Sequence, residues 1–335
     1  MNKKYIVIGV AVVILAALGV FGYLNYGTRV AVPQKVYHVG VLNALDFFGG
    51  TTDAFKEKMT ELGYVEGKNI TYDVVKGPQP VGNQAILKRF VDNHVDLILA
   101  FPTEASLEAK EITKGTGIPI VSTEAAMEGT DLIQSIGHPG GNLTGVRFPI
   151  PEVTAKRFEI LHEIVPKAKR ILIPYLKDYP TVAPSLLAIQ SRAKDLGVTL
   201  VEAPFAAPPE VDAFLAARAS GDPGFDAILM IPEPVSIVPP FSDPIYEFAD
   251  ARKIPVAGVV ILKADHGPLF SLIPQSEEFG RLAAPLADKI FRGVDPGTIP
   301  IATPESRLEI NYRAIQKLGL TVSESLLATA DEIFR

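Results

Sequence analysis

Three glutamates are the side chains of this sequence best placed to do chemistry, because each stands shortly after a short apolar run. These are Glu104, Glu124 and Glu233. Carboxylates gathered at one place suit a ligand ammonium group or several ligand hydroxyls. The alternative is that the glutamates occupy solvated first turns of helices, where acidic side chains interact favourably with the helix dipole.

Further polar and aromatic residues in the same kind of position extend the candidate binding site. Thr103 and Thr123, together with free N–H groups at helix starts, suit a ligand carboxylate, although Thr103 is equally consistent with a plain helix cap. Aromatic walls are expected from three residues, Phe47, Tyr175 and Tyr179. The remaining candidates at predicted strand ends are polar: Asn43, Asp46, Ser236 and Asp265.

The composition argues against most catalytic chemistry. The sequence contains no cysteine and only 5 histidines, which excludes thiol nucleophiles, iron–sulfur clusters and cysteine-ligated zinc. No G-x-G-x-x-G or G-K-[ST] loop is present to cradle phosphates, and no D-x-D-x-D-G run to bind calcium. A glycosidase pair is also disfavoured, since the carboxylates come from different halves of the chain and nothing marks a proton donor. We therefore expect a protein that is not an enzyme and that has no metal or cofactor.

The charge balance further narrows the choice of partners. The formal net charge is −6 and the pI is about 5.5, whereas proteins that hold nucleic acid usually carry a basic surplus. Nucleic acid is therefore not an expected partner.

The elements that must position these residues alternate between strands and helices, which is typical of parallel βαβ units. The pattern occurs twice. The segment 96–102 reads D-L-I-L-A-F-P and the segment 226–232 reads D-A-I-L-M-I-P, while 117–121 and 253–257 correspond at a similar offset. Either one unit has been duplicated or any two α/β halves look alike; the repeated motif favours duplication. The predicted fold class is α/β, with two similar doubly wound parallel-sheet lobes joined by a multi-strand hinge and preceded by an apolar helix. Ligands of such sheets bind beyond the carboxyl ends of the strands.

The amino terminus predicts an export or anchoring segment. Tyr5–Tyr23 contains no charged residue and follows Lys3 and Lys4. As a helix it would span about 28 Å, close to the hydrocarbon thickness of a bilayer. The positive-inside rule then places the body of the protein outside the cytoplasm. Both an uncleaved anchor and a cleaved signal peptide remain open, although no convincing cleavage site follows.

Three stretches resemble a known family. They read E-L-G-Y-V-E-G-K-N-I at 61–70, H-P-G-G-N-L-T-G-V at 138–146, and a carboxyl-terminal run that includes E-F-G-R-L-A-A at 278–284 and K-L-G-L-T-V-S-E-S-L-L-A-T-A-D-E-I at 317–333. Together they resemble the substrate-binding proteins of ABC transporters with the type I periplasmic-binding-protein fold, in the subgroup around tryptophan and tyrosine uptake. The resemblance implies a ligand cleft between two lobes that close by hinge bending.

The sequence departs from that family where the chain recrosses between the lobes. Gln275 stands where the family has aspartate, Ser276 where it has tyrosine and Ile273 where it has glycine. We include Gln275 among the candidate ligand-binding residues. These departures argue against tryptophan or tyrosine as the ligand.

The predicted function is extracytoplasmic capture of a small polar molecule, an amino acid or a related metabolite, for delivery to an ABC permease. The alternative is a membrane-tethered sensing ectodomain that acts with a signalling partner. The chain is expected to be a monomer held to the membrane by Tyr5–Tyr23. We expect a membrane or signal segment at 1–27, a tether at 28–35, a first lobe at 36–147 plus about 267–300, and a second lobe at 148–266 plus about 301–335.

Overall fold

A computed structural model describes residues 35–44, 49–76, 82–261 and 267–335. Tyr5–Tyr23 lies outside these ranges, as do Asp46, Phe47 and Asp265. Within the described ranges, no helix is both long enough and apolar enough to span a membrane. His38–Arg335 forms one compact unit, and the two sheets described below both lie within it apart from the first residue of the first strand.

The first lobe is built on a five-stranded sheet in the order β2-β1-β3-β4-β5. Every residue of β3 and β4 is buried, which is typical of parallel strands covered on both faces by helices. The strands are β1 (Tyr37–Asn43), β2 (Ile70–Lys76), β3 (Leu97–Phe101), β4 (Ile120–Ala125) and β5 (Leu143–Arg147), and the helices between them are α1 (Gly49–Glu61), α2 (Gln84–Asp92) and α3 (Thr103–Ile112).

The second lobe is built on a seven-stranded sheet in the order β12-β11-β10-β9-β8-β6-β7. It is parallel except where β10 meets β11. The strands are β6 (Arg170–Leu176), β7 (Thr199–Phe205), β8 (Ala227–Leu229), β9 (Val256–Gly258), β10 (Phe270–Ile273), β11 (Arg307–Asn311) and β12 (Glu332–Phe334). The helices that follow β5 along the chain are α4 (Ile150–Ile164), α5 (Val182–Asp195), α6 (Pro208–Ala216), α7 (Pro234–Ile237), α8 (Pro239–Arg252), α9 (Ser276–Phe291), α10 (Tyr312–Lys317) and α11 (Glu324–Ala328).

The repeated aspartate motif has the same structural role in both lobes. In the first lobe, Asp96 Oδ2 accepts the backbone N–H of His38 at 2.8 Å and its own N–H donates to the His38 carbonyl at 2.7 Å. In the second, Asp226 Oδ2 accepts the N–H of Arg170 at 2.9 Å and its N–H donates to the Arg170 carbonyl at 2.8 Å. Each aspartate thus ties the start of its own strand to the start of the first strand of that half.

The chain crosses between the lobes three times, after β5, after β10 and before β11. The second crossing corrects the expected boundary at 267: β10 extends the second sheet, with Phe270 opposite Ala257, so the chain enters the first lobe only after Ile273. There α9 packs closely on α1. The approach leaves no room for a side chain at Gly280, where a Cβ would lie 2.2 Å from the Thr51 carbonyl oxygen. The third crossing touches the first sheet at its edge, where Ala302 bridges to Val146.

Candidate functional site

A cavity of about 460 Å³ lies between the two lobes. Its lining follows the carboxyl ends of strands from both sheets. The first lobe contributes residues after β3 and β4, and the second contributes residues after β6, β8 and β9. The walls are mainly apolar, and the polar side chains among the described lining residues are Thr103, Glu124, Tyr179, Thr181 and Glu233.

Glu124 reaches the cavity because β4 is irregular at this residue. The pairing with β5 shifts between Thr123 and Ala125, and Glu124 has a φ of 51°, in the left-handed region that non-glycine residues seldom occupy. Such a bulge re-aims a side chain away from the regular alternation of a strand. Glu124 is only 4 % exposed, and its Oε1 accepts a hydrogen bond from the Thr51 hydroxyl of α1. Burial raises the pKa of Glu124 well above its ordinary value, the Thr51 hydrogen bond lowers it, and the charge of Glu277 adds to the rise.

Glu233 approaches from the second lobe, at the residue that precedes α7. It is 4 % exposed. One carboxyl oxygen, Oε2, accepts the backbone N–H of Leu176 at 2.9 Å, whereas Oε1 is buried and has no hydrogen-bond partner among the described residues. Burial raises the pKa of Glu233 to about 7, and backbone N–H groups of Leu176, Val235 and Ser236 limit the rise. The carboxyl group therefore titrates near neutral pH.

Tyr179 lines the cavity from the second lobe, shortly after β6. Burial raises the pKa of Tyr179, and the nearby carboxyl groups of Glu104 and then Glu233 add to the rise. Glu104 Oε2 is itself buried with no hydrogen-bond partner among the described residues. Tyr179 therefore lies close to one carboxyl group from each lobe.

The two threonines of the lining are held by the backbone. Thr103 opens α3, and its Oγ1 accepts the N–H of Ala126 at 3.0 Å, so it links the ends of β3 and β4. Thr181 precedes α5, and its hydroxyl donates to the Pro232 carbonyl at 2.9 Å. Thr181 carries no motif that would distinguish it in the sequence from an ordinary helix cap.

Of the predicted site residues, Thr103, Glu124, Tyr179 and Glu233 line the cavity, and Glu104 lies next to Tyr179 but outside the lining. Five other predicted residues lie elsewhere. Tyr175 donates to Glu202 of β7 at 2.8 Å, and Gln275 is exposed just before α9. The remaining three are buried and lie outside the lining: Asn43, Thr123 and Ser236. The Ser236 hydroxyl donates to the Ile231 carbonyl.

Sequence reasoning missed much of the apolar lining. Phe148, Ile150 and Ile273 contact the cavity from the crossings between the lobes, where no motif indicates a ligand wall. No group of three or more histidine, aspartate or glutamate side chains suited to a metal ion occurs in the described part of the chain.

Comparison with solved structures shows the fold. A conserved domain protein from Vibrio cholerae superposes with a TM-score of 0.76 at 25 % identity, over 89 % of this chain and 100 % of that one. A Streptococcus pneumoniae ABC domain in complex with L-Trp gives a TM-score of 0.75 at 20 % identity, over 90 % and 100 % of the two chains. A Bacillus halodurans ABC transporter solute-binding protein with bound myo-inositol gives 0.63 at 15 % identity, over 87 % and 99 %. These chains have the two-lobe fold of type I periplasmic binding proteins, as the sequence predicts.

Sequence comparison assigns the family. A search of curated proteins finds no relative. The family of ABC transporter substrate-binding proteins, however, matches residues 29–334, nearly the whole chain. With the predicted two-lobe fold confirmed and a ligand-sized cavity between the lobes, the chain belongs to the ABC transporter substrate-binding protein family.

Proposed function

We propose that the chain captures a small polar molecule, of the size of an amino acid or a related metabolite, in the cavity between its lobes and delivers it to an ABC permease. The observation that carries the proposal is the cavity of about 460 Å³, which lies in the size range of small-molecule sites. Thr103, Glu124, Tyr179, Thr181 and Glu233 are the side chains proposed to contact the ligand. The role is one of binding, with no chemical step.

Capture proceeds by closure of the lobes about the three crossings. Tyr179 of the second lobe and Glu104 of the first, which lie close enough to interact, would separate on opening and meet again on closing. A ligand held between Glu124 and Glu233 would stabilise the closed form, because it contacts both lobes only there.

Calorimetric titration tests the proposal. Amino acids, polyols, purines and aromatic acids are added to the folded protein, and at least one class is expected to bind. Ala126 lines the cavity, so Ala126→Phe should fill part of it and weaken binding. Ala85 is exposed on α2, and Ala85→Phe is the matched control, expected to bind as the unaltered protein does. Failure of a folded sample to bind any class at millimolar concentration would overturn the proposal.

The family acts outside the cytoplasm, and we propose that Tyr5–Tyr23 anchors this member to the membrane as a monomer. Its apolar length supports the anchor. The intact mass of the protein from a membrane fraction tests this, because an anchored chain retains residues 1–27 whereas a processed chain does not. Sedimentation of the detergent-solubilised protein at monomer mass tests the oligomeric state.

A further inference from the structure

No basic side chain occurs among the described residues that line the cavity. The acidic side chains among them are Glu124, from the first lobe, and Glu233, from the second. Each is 4 % exposed, so neither is a solvated surface carboxylate. The rest of the described wall is apolar or carries only hydroxyl groups.

Glu233 has unused capacity to accept hydrogen bonds. Its Oε2 is occupied by the Leu176 N–H at 2.9 Å, and its Oε1 is buried with no hydrogen-bond partner among the described residues. A buried acceptor without a donor costs free energy. Because Oε1 has almost no accessible surface in the empty cavity, the carboxyl group must turn slightly to meet a ligand. A ligand N–H donor that then bonds to it removes the cost, and a charged donor forms the stronger bond.

Two arginines, Arg157 and Arg147, add no positive charge to the cavity wall, because neither lines the cavity. Arg157 is fully buried, donates to the Ala257 carbonyl at 3.4 Å and does not line the cavity. Arg147 forms ion pairs with Glu128 and Glu152 and is likewise outside the lining. A ligand carboxylate would therefore meet no basic side chain among the described lining residues, and it would be repelled by Glu233 once that group is ionised.

We propose that the cavity selects a monocationic amine with an apolar body and no carboxylate group, and that Glu233 binds its ammonium. This deepens, and rests on, the proposed function: among the small polar molecules considered there, it favours an amine over an amino acid. A zwitterionic amino acid of the same body would bind more weakly, because its carboxylate would be repelled by the ionised Glu233 and would meet no basic side chain among the described lining residues.

The binding of the amine should depend on pH in one direction. Among the described residues, the groups that act on Glu233 are the backbone N–H groups of Leu176, Val235 and Ser236 and the nearby Tyr179; Glu124 is the other acidic side chain of the lining. Since burial raises the pKa of Glu233 to about 7, the carboxylate needed for an ammonium forms only as the pH rises through that value. Amine affinity should increase roughly tenfold per pH unit below 7 and level off above it, while the amine stays protonated.

Four probes with one apolar body test the inference by calorimetry on the full-length chain: 2-phenylethylamine, phenylalanine, 3-phenylpropanoate and 2-phenylethanol. The amine is expected to bind at least tenfold more tightly than the other three at pH 8, and more weakly at pH 6. Equal or tighter binding of phenylalanine or 3-phenylpropanoate overturns the inference and leaves the proposed function standing. Failure of the amine to bind also overturns it, and the broader panel of small molecules then decides the proposed function separately.

Variants identify the carboxylate. Glu233→Gln should weaken amine binding roughly tenfold to hundredfold at pH 8 and remove the rise in affinity between pH 6 and pH 8 that ionisation of Glu233 causes. Glu247 is exposed on α8 of the same lobe, so Glu247→Gln is the matched control and should change neither quantity. Retention of tight, pH-dependent amine binding by Glu233→Gln would overturn the assignment, and thermal unfolding at each pH verifies that both variants are folded.

Discussion

Replacing Glu233 with glutamine should stabilise the ligand-free protein at alkaline pH, even though it removes a binding group. The glutamine oxygen can still accept the Leu176 N–H that Glu233 Oε2 accepts at 2.9 Å. The amide carries no charge, so it avoids the desolvation that the ionised carboxylate suffers when buried. The gain should therefore appear only where the carboxylate of the unaltered protein is forced to ionise.

The size and sign of the effect follow from the pKa. Burial raises the pKa of Glu233 from 4.5 to about 7. Between these values the folded state keeps its proton and the unfolded state does not, so the stability of the unaltered protein falls as the pH rises from 4.5 to 7 and is constant above. At 1.36 kcal/mol per unit of pKa, the loss is about 3 kcal/mol. Glu233→Gln lacks this loss, so its advantage should grow from near zero at pH 4.5 to about 3 kcal/mol at pH 8.

Urea denaturation of ligand-free protein at pH 5, 6, 7 and 8 measures the difference directly. Comparing the two proteins at each pH cancels the contribution of Glu124, which is present in both. Glu247→Gln should run parallel to the unaltered protein throughout. Parallel pH profiles for Glu233→Gln and the unaltered protein would refute the reasoning, because they would show that Glu233 titrates alike in the folded and unfolded states.

Three further perturbations test other parts of the structure. Gly280→Ala should destabilise the protein by about 1–3 kcal/mol in urea, because the new Cβ would lie 2.2 Å from a backbone oxygen of α1; Gly137→Ala, where a Cβ meets nothing within 4 Å, is the control. Tyr179→Phe removes the interaction with Glu104 and should raise the ligand-free radius of gyration by X-ray scattering; an unchanged radius contradicts an interlobe role. Asp226→Asn should cost about 1 kcal/mol at pH 7. Hydrogen bonds from Arg170 chiefly lower the pKa of the Asp226 carboxyl group in the folded protein. The loss of stability should therefore shrink below pH 4, where that carboxylate becomes protonated, and a loss that stays constant would contradict a role for the ionised Asp226.

Much of the fold could be predicted from short patterns in the sequence. The repeated D-x-I-L-x-x-P motif places Asp96 and Asp226 at equivalent strand starts, where each aspartate makes the same kind of backbone hydrogen bond. The lobe boundary was less accessible. The strand Phe270–Ile273 belongs to the second sheet, yet a short apolar run carries no information about which of two sheets it joins, since that depends on pairing with residues distant in the chain.

The candidate site was likewise predictable only in part. Glu124 and Glu233 were predicted because polar residues beyond parallel strands meet at one edge of a sheet. The same reasoning predicts Tyr175 as a cavity residue, but its hydroxyl donates a hydrogen bond to Glu202 of the neighbouring strand. A side chain at a strand end points to one face or the other, and neither residue type nor spacing reports which face lines the cavity.

By itself the sequence determined the α/β class, the two-lobe duplication, the family and the absence of cysteine and nucleotide-binding loops, because these are properties of composition, periodicity and short motifs. Tertiary structure alone decided that Glu124 turns out of β4 at a bulge, that Glu233 keeps one carboxyl oxygen without a partner among the described residues, and that Tyr179 of the second lobe lies close to Glu104 of the first. The physical reason is that burial, hydrogen-bond satisfaction and pKa depend on what surrounds a group in space, and those surroundings come from parts of the chain that are far apart in sequence.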